Sequence, residues 1–315
     1  DMAGKMFELI YERYASDPKT PMALYNAGLI FEKGKLYTNA IKVYDALAAK
    51  FPQSEYAAEA FFSIGLCYEK MGQNLEMANV FTQYATKYAG DRLKQVQALV
   101  KAGDAYLNMK REDDALKNYM MAVSIYEKFN KESDIDIESI AQAYFKAGEA
   151  HYNKFQKIEL KASSEKAVKD LIRSKTKALE EPAKYYAKVI ELGIAEWTLK
   201  ATYKIGMGFV DMGSAIERQT LFGNAEQKIA SKIQILSGLE KYYGKAQEYF
   251  YQNIEWSRSQ GLKGEVVQNS NDKFLEMLYM KGKILRQVGE EFGKAPVPRG
   301  LSKDEEQAYR DLLME

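Results

Sequence analysis

The sequence is poor in the residues that build covalent or metal-centred sites. Cys67 is the only cysteine and His151 the only histidine in 315 residues. One cysteine excludes an internal disulfide and a thiolate cluster, and one histidine leaves no second imidazole ligand. We therefore expect no bound metal or cofactor. Only 6 prolines and as many as 23 tyrosines leave ample material for cores and little for loops, which indicates a mostly helical protein.

Charge of one sign and long apolar runs are also lacking. Lys and Arg number 45 and Asp and Glu 44, so no global field attracts a phosphate backbone, and nucleic acid is not an expected partner. No apolar run reaches the roughly 18 residues that span a bilayer, so no transmembrane segment is expected. Residues 1–20 lack a signal-peptide core. Because the chain begins at Asp1, this leaves the compartment open.

What is present is a recurring glycine. Five glycines follow a small or apolar residue and precede, by three positions, an aromatic residue or His. These stretches are LYNAGLIF (Gly28), FFSIGLCY (Gly65), LVKAGDAY (Gly103), YFKAGEAH (Gly148) and TYKIGMGF (Gly206), with LYMKGKIL (Gly282) as a weaker sixth. The successive intervals are 37, 38, 45, 58 and 76 residues, so the array begins regularly and expands towards its C-terminal half.

A second pattern follows the first three glycines. A small or flexible residue comes twelve positions later and an aromatic four after that, giving the pairs Ala40 and Tyr44, Met77 and Phe81, and Ala115 and Tyr119. The pattern predicts two helices per unit, because a glycine at the crossing point lets a second helix approach closely and place its aromatic residue over the gap.

Residues 21–54 resemble the tetratricopeptide repeat of about 34 residues. The matching positions are Leu24, Ala27, Gly28, Phe31, Ala40, Tyr44, Leu47 and Pro52. The resemblance implies an all-α, right-handed superhelical solenoid of helix-turn-helix repeats that acts as a non-enzymatic scaffold for protein interactions. The stretch FPQSEYAAEAFFSIGLCYEKMGQ is similar to repeats of bacterial cell-envelope proteins. GIAEWTLKATYKIGMGFVDMG and the later APVPRGLSKDEEQAYRDLL are similar to long envelope proteins, some linked to gliding machinery. A periplasmic or envelope location is thus implied, with a cytoplasmic one as the alternative.

The expanded intervals predict two long helical hairpins. If Ala183 and Ala246 occupy the small-residue position, insertions of 23 and 28 residues separate the packing faces in the fourth and fifth units. Both insertions are rich in helix formers, so we expect both helices of each hairpin to be lengthened, with turns at Ala162–Ser164 and Phe222–Asn224. The predicted organisation is regular repeats over 1–133 after an incomplete repeat, lengthened repeats over 134–293, and a Pro-punctuated turn and truncated helix over 294–315. The unmatched ends lead us to expect a fragment of a longer protein.

The two scarce residues are predicted to pack rather than react. His151 lies three positions after Gly148, where the other units have Phe31, Tyr68, Tyr106 and Phe209, so it should face the partner helix. Cys67 is expected to be a small buried residue. A hydrolase that uses His151 remains a remote alternative, although no nucleophile-elbow pattern accompanies it. The residues 152–181 carry eight basic side chains against five acidic ones, a surface for solvent or for an acidic partner or anionic head groups.

The resemblance places the binding site on the groove formed by the first helices of the repeats. The candidates are Tyr25, Asn26, Leu29, Glu59, Phe62, Ser63, Leu66, Val100, Lys101, Asp104, Phe145, Lys146 and Glu149. The subfamily that clamps a C-terminal carboxylate has Lys, Asn, Asn, Lys and Arg at positions that correspond here to Tyr25, Leu29, Ser63, Gln97 and Lys101. Only the last keeps a positive charge, so an apolar or mixed peptide or a partner helix is expected instead.

Two alternatives to groove binding stay open. The chain could be a structural subunit that associates through its two long hairpins, or further repeats could cover the groove. The sequence identifies neither a partner nor an oligomeric state.

Overall fold

The computed structural model describes residues 16–129 and 136–293, together with Leu9, Arg13 and Tyr14. These residues form eleven α-helices and no strand, which confirms the all-α class and the consecutive packing of a tetratricopeptide-like solenoid. The predicted helix at the N-terminus and residues 294–315 lie almost wholly outside the described residues. The chain divides into two compact units, residues 1–147, called unit 1 here, and residues 148–315, called unit 2.

Unit 1 consists of consecutive helices, and each of the first six packs against its neighbours in the chain. They are α1 (Thr20–Lys33), α2 (Tyr37–Lys50), α3 (Glu55–Met71), α4 (Asn74–Lys87), α5 (Arg92–Asn108), α6 (Glu112–Phe129) and the first part of α7 (Ile137–Gln156). Local signals set some boundaries. Ser54 caps α3 by accepting a hydrogen bond from the Tyr56 amide, and Gly72 ends it in the left-handed region at φ 69°.

The glycine register predicted for unit 1 is confirmed. Each glycine of a first helix lies against an aromatic ring of the following helix, in the pairs Gly28 and Tyr44, Gly65 and Phe81, and Gly103 and Tyr119. A Cβ atom on Gly65 would lie 2.6 Å from Phe81 Cζ, closer than packed carbon atoms approach. The three rings are fully buried, so the glycines exist to make room for them.

Unit 2 continues the same register with longer helices. It contains the rest of α7, α8 (Glu165–Glu191), α9 (Ala195–Glu217), α10 (Ala225–Ser259) and α11 (Glu265–Gly293). Gly148 lies against Tyr186 and Gly206 against Phe250, where a Cβ atom would in both cases be 2.7 Å from the ring. By contrast, a Cβ atom on Gly282 would meet nothing within 4 Å, so the weak sixth motif has no close ring among the residues described.

The predicted packing position of Ala183 is wrong. The buried face of α8 contains Pro182, Tyr186 and Val189, whereas Ala183 is only half-buried. Pro182 therefore takes the small-residue position, four residues before the aromatic ring, as in the other units. Proline inside a helix removes one hydrogen bond, so its presence at this position is not expected from helix propensity. Ala246, predicted for the same position in the next hairpin, is fully buried.

Both helices of each long hairpin exceed those of the regular repeats, as predicted, but the extra residues are shared unequally. The second helices take up most of the extra chain, since α8 has 27 residues and α10 has 35, whereas α7 has only 20. Helix α7 ends at Gln156 and residues 157–164 are not helical. The turns themselves were placed correctly. Ser164 caps α8, and Asn224 forms a capping box with Gln227 at the start of α10.

A buried lysine accounts for the early end of α7. Lys175 is 4% exposed, and its Nζ donates to the carbonyl oxygens of Phe155 at 2.9 Å and Ile158 at 2.7 Å. The last carbonyls of a helix lack partners within it, and a cation at that end also complements the helix dipole. Because the capping residue lies 19 positions beyond Gln156, no local pattern in the sequence announces it.

Candidate functional site

The structure places the candidate groove residues of unit 1 at very different depths. Asn26 and Leu29 are exposed, and Tyr25, Leu66, Lys101, Asp104 and Lys146 are half-buried. Phe62, Ser63, Val100 and Phe145 are buried, at 8%, 7%, 3% and 6% exposure. These four therefore offer little surface to a ligand. Glu149 is half-buried and lies in unit 2, where it pairs with Lys204 at 3.2 Å.

Phe62 illustrates why periodicity overestimated the open surface. Its ring meets Phe81 and Tyr84 of α4 edge-on, with centroids 5.1 and 5.2 Å apart. Helix α3 packs against both α2 and α4, so most of its circumference is covered. Phe62, which lies three residues before Gly65, therefore faces protein as well. Phe62 belongs to the core of unit 1 and is not a contact residue for a ligand.

The polar candidates Glu59, Lys101 and Asp104 form ion pairs and hydrogen bonds with residues outside the candidate set. Lys101 of α5 pairs with Glu69 of α3 at 2.8 Å, and Lys94 pairs with Glu59. Asp104 accepts hydrogen bonds from the Tyr119 hydroxyl at 2.7 Å and the Gln142 amide at 3.1 Å. Burial raises the pKa of Asp104, and the Tyr119 hydrogen bond and the nearby Lys146 and Lys101 partly oppose this shift.

The chemistry of this face changes along the chain. The residue just after the repeat glycine is Leu29 in the first unit, Leu66 in the second and Asp104 in the third. Its exposed part is thus apolar at the first two repeats and acidic at the third. The sequence shows this change from apolar to acidic only when the repeats are aligned on their glycines.

A surface cavity of about 620 Å³ lies on the apolar part of the face. Helices α1, α3 and α5 contribute the predicted residues Leu29, Leu66 and Lys101 to its wall. Four charged residues and Tyr37 of α2 were not predicted as site residues. The additional lining residues are Glu32, Lys33, Tyr37, Cys67, Glu69 and Lys70. Glu32, Glu69 and Lys70 lie four or five positions after a repeat glycine, one helical turn beyond Leu29 and Leu66, which is the signal that could have found them.

Cys67 has a structural role in the wall of this cavity. It is 1% exposed, and its thiol donates to Glu32 Oε1 at 3.2 Å, which joins α3 to α1. Burial and the adjacent Glu32 carboxylate raise the pKa of the thiol. Since the thiolate is the nucleophile, this cysteine is held in its unreactive form. The prediction that Cys67 is a buried residue is confirmed.

His151 packs as predicted. Its imidazole stacks on Tyr185 of the partner helix α8, with ring centroids 5.1 Å apart and planes 16° from parallel. Burial and the nearby Lys154 lower its pKa, and Glu181 partly opposes the shift.

Among the described residues no group of three His, Cys, Asp or Glu side chains could hold a metal ion. Within the same part of the chain, no helix has the length and apolar character needed to cross a membrane.

Comparison with known families gives the repeats their name. The family model described as tetratricopeptide repeat matches residues 22–54, 59–91 and 97–129, the three regular hairpins of unit 1. Residues 22–129 thus contain three tetratricopeptide repeats. Tetratricopeptide repeats support an interaction scaffold whose partners are proteins or peptides. No curated protein sequence matches the chain.

Several solved structures share parts of this tetratricopeptide fold. The MamA protein is 14% identical with a TM-score of 0.47, and the match covers 78% of this chain and 98% of that one. A TPR repeats protein from Bacteroides fragilis is 17% identical with a TM-score of 0.44, covering 85% and 98%. A Rap protein complexed with competence and sporulation factor is 13% identical with a TM-score of 0.34, covering 91% and 81%. These scores are low, so the function below rests on this chain's own residues.

Proposed function

We propose that the chain is a non-enzymatic scaffold that binds a peptide or partner helix across α1, α3 and α5 of unit 1. The observation that carries the proposal is the cavity of about 620 Å³ whose wall contains Leu29, Leu66 and Lys101, three of the residues predicted from the repeat register. Repeats supply a continuous wall of first helices, and peptides lie along such walls as extended chains or helices.

The lining of the cavity suits a peptide of mixed character. Leu29 is 41% exposed and provides apolar surface for one side chain of the ligand. Burying such a side chain stabilises a complex by about 1.5–3 kcal/mol. Around it, Lys33 and Lys70 supply cations and Glu32 supplies an acceptor, so peptide amides and one acidic side chain could be bound beside the apolar contact.

The same residues disfavour recognition of a free C-terminal carboxylate. Lys101 is the one cation retained from the five clamp positions, and it is already paired with Glu69. Gln97, at another clamp position, donates its amide to Asp136 at 3.1 Å. A terminal carboxylate would have to displace both partners, which costs their charge-assisted contacts.

The long hairpins support the alternative of structural assembly less well. Helix α8 carries ion pairs along its solvent face, among them Lys169 with Glu165 at 2.7 Å and Lys184 with Glu181 at 2.7 Å. These side chains are about half exposed or more. A protein interface is depleted of such charges at its centre, so this face favours water over a second subunit.

Peptide display tests the groove directly. A random twelve-residue phage library is selected on the immobilised chain, and enriched peptides are synthesised and titrated against wild type and Leu29→Glu. We expect enriched peptides to contain an apolar residue and to bind Leu29→Glu at least about tenfold more weakly, because a carboxylate in the apolar contact must be desolvated.

The neighbouring residue provides the matched control. Ile30 is 71% exposed and is not part of the cavity wall, so Ile30→Glu introduces the same charge one position away. It should leave affinity unchanged within about twofold. Peptides that bind Leu29→Glu and Ile30→Glu equally well would show that the groove is not the binding surface.

We also propose that the scaffold works in a bacterial envelope assembly. This part of the proposal rests on the similarity of the stretches around Gly65 and Gly206 to repeats of envelope proteins. Fractionation of cells that express the full-length protein tests it. Recovery with the periplasm or membranes is expected, and recovery only with the cytosol would contradict it.

A further inference from the structure

We propose that unit 2 has a second, independent site, a cavity between the arms α8 and α10 that binds a small amphipathic anion such as a medium-chain carboxylate. The cavity has a volume of about 360 Å³ and is bounded by α8, the end of α9, the turn after α9 and the N-terminal half of α10. It lies in unit 2, so it does not depend on the peptide groove of unit 1.

The walls of this cavity are mainly apolar. Val168 and Ile172 line it from α8, Ile216 from α9, and Ile235 from α10. Phe222 closes it from the turn. Val168 and Ile216 are 4% and 6% exposed, so the cavity reaches into the unit's core. Pockets that take small ligands are concave, mostly apolar and about 300–1,000 Å³ in volume, and this cavity lies within that range.

The cavity stays open because small groups lie where the two arms face each other. Gly238 lines it from α10, and a Cβ atom built there would meet nothing within 4 Å. Near the inner end of the arms the separation is bridged by the hydroxyl groups of Thr176 and Tyr242, which are 3.5 Å apart. A glycine inside a helix costs about 1 kcal/mol relative to alanine. At Gly238 this cost comes with open space rather than with a packed aromatic ring.

The charges at the mouth of the cavity favour an anion. Lys169 and Arg173 line it from α8, together with one acid, Glu165. Lys169 is paired with Glu165 at 2.7 Å, whereas Arg173 is 83% exposed and its Nη1 lies 3.5 Å from Asp170, so Arg173 is the more available of the two cations. The exposed charges of the surrounding segment 165–177 are mainly basic, with Lys166, Lys169, Arg173 and Lys177 against Glu165 and Asp170.

An apolar interior beside a basic mouth defines the ligand class. The aliphatic part of a carboxylate would displace water from Val168, Ile172 and Ile235, while its head group would meet Lys169 and Arg173. A neutral molecule of the same length gains only the apolar contact and no contact between a negative head group and the basic residues. A polar anion such as inorganic phosphate gains only the contact with the basic residues.

The experiment titrates the whole chain with dodecanoate below its micellar concentration, followed by displacement of the fluorescent probe 1-anilinonaphthalene-8-sulfonate. Gly238→Leu adds a side chain at the cavity wall and should weaken dodecanoate binding at least about tenfold. Ser237→Leu adds the same side chain one residue away at an exposed position that does not line the cavity, and it should leave affinity unchanged.

Charge is tested separately. Lys169→Gln with Arg173→Gln should weaken dodecanoate about fivefold and dodecanol not at all, whereas Lys166→Gln, outside the cavity wall, should change neither. Equal affinity of wild type and Gly238→Leu for dodecanoate overturns the site. Equal affinity of wild type for dodecanoate and dodecanol overturns the assignment of an anion. Phage-selected peptides should bind Gly238→Leu as they bind wild type, which separates this proposal from the groove.

Discussion

The single histidine shows how a repeat register assigns a role to one side chain. His151 lies three residues after Gly148, and Phe209 lies three residues after Gly206. His151 stacks on Tyr185, and Phe209 stacks on Tyr249 with centroids 5.7 Å apart and planes 15° from parallel. Each tyrosine immediately precedes the ring that covers the glycine. The imidazole therefore replaces a phenyl ring in a repeated stack, and its titration adds a cost that phenylalanine does not have.

Replacing His151 with phenylalanine should remove a pH dependence of stability. Burial and Lys154 hold the folded-state pKa of His151 below its usual value of 6.5, and Glu181 opposes this only in part. As pH falls through about 6.5, the unfolded chain takes up this proton before the folded chain does, so the free energy of unfolding decreases. His151→Phe should therefore gain stability relative to wild type between pH 7.5 and pH 5.

Urea unfolding at both pH values measures this gain. Groups that do not interact with His151 titrate alike in the two proteins and cancel in the difference, whereas Glu181, whose pKa His151 helps to lower, does not cancel fully. A difference between wild type and His151→Phe that stays constant across the range would mean that the imidazole is not held in its neutral form.

At the scale of the helices, the regular hairpins were predictable because their determinants are local. The spacing from glycine to ring is the same 16 residues in the first three units, and turns and caps lie within a few residues of the boundaries they set. The same register gave Leu29, Leu66 and Lys101, which line the cavity of unit 1, and their role in binding stays a prediction. Phe62 and Phe145 were predicted as groove residues but are buried. The periodicity of a helix does not show how many other helices surround it.

The long arms were predicted to exist but not in their true proportions. Composition favoured helix over residues 157–161, but Lys175 caps α7 from the next helix, and α7 ends at Gln156. Helix propensity disfavours Pro182 inside α8, yet it fills a position that needs a small, compact side chain. In both cases a tertiary contact overrides a local preference. The cavity between α8 and α10 also depends on how these helices pack, so no local sequence pattern predicts it.

Two glycines of the same motif should respond in opposite ways to alanine. In Gly65→Ala the new methyl group would be 2.6 Å from Phe81, so the ring must move, and we expect a loss of about 1–3 kcal/mol. In Gly282→Ala the methyl group meets nothing within 4 Å, so the better helix propensity of alanine should raise stability by about 1 kcal/mol. Denaturant midpoints measured on the full chain compare the two.

The paired design separates packing from propensity. Both substitutions make the same chemical change in the middle of a first helix, so they differ only in what faces the glycine. Destabilisation of both proteins by equal amounts would show that the close approach of Phe81 is not what selects glycine.

At the scale of the whole molecule, the two candidate sites divide between the two units. The peptide groove uses the short hairpins of α1, α3 and α5, where successive first helices form one wall. The amphiphile cavity uses the space between α8 and α10, which exists because these second helices extend beyond the regular repeat. Lengthening the second helices thus creates the cavity of the proposed second site, while the glycine register of the repeats is kept through Gly206 and Phe250.

The division into two units should also appear in local unfolding of the chain. Repeat proteins are stabilised mainly by contacts between neighbouring hairpins, so a local defect lowers protection of nearby amides most. Gly65→Ala should therefore accelerate hydrogen exchange in α1 to α4 and leave α9 to α11 unchanged. Gly206→Ala, whose methyl group would be 2.7 Å from Phe250, should do the reverse. Mass spectrometry of peptic fragments resolves the two regions. Equal acceleration in both regions by either substitution would mean that the chain opens as one cooperative body, despite its division into two compact units after residue 147.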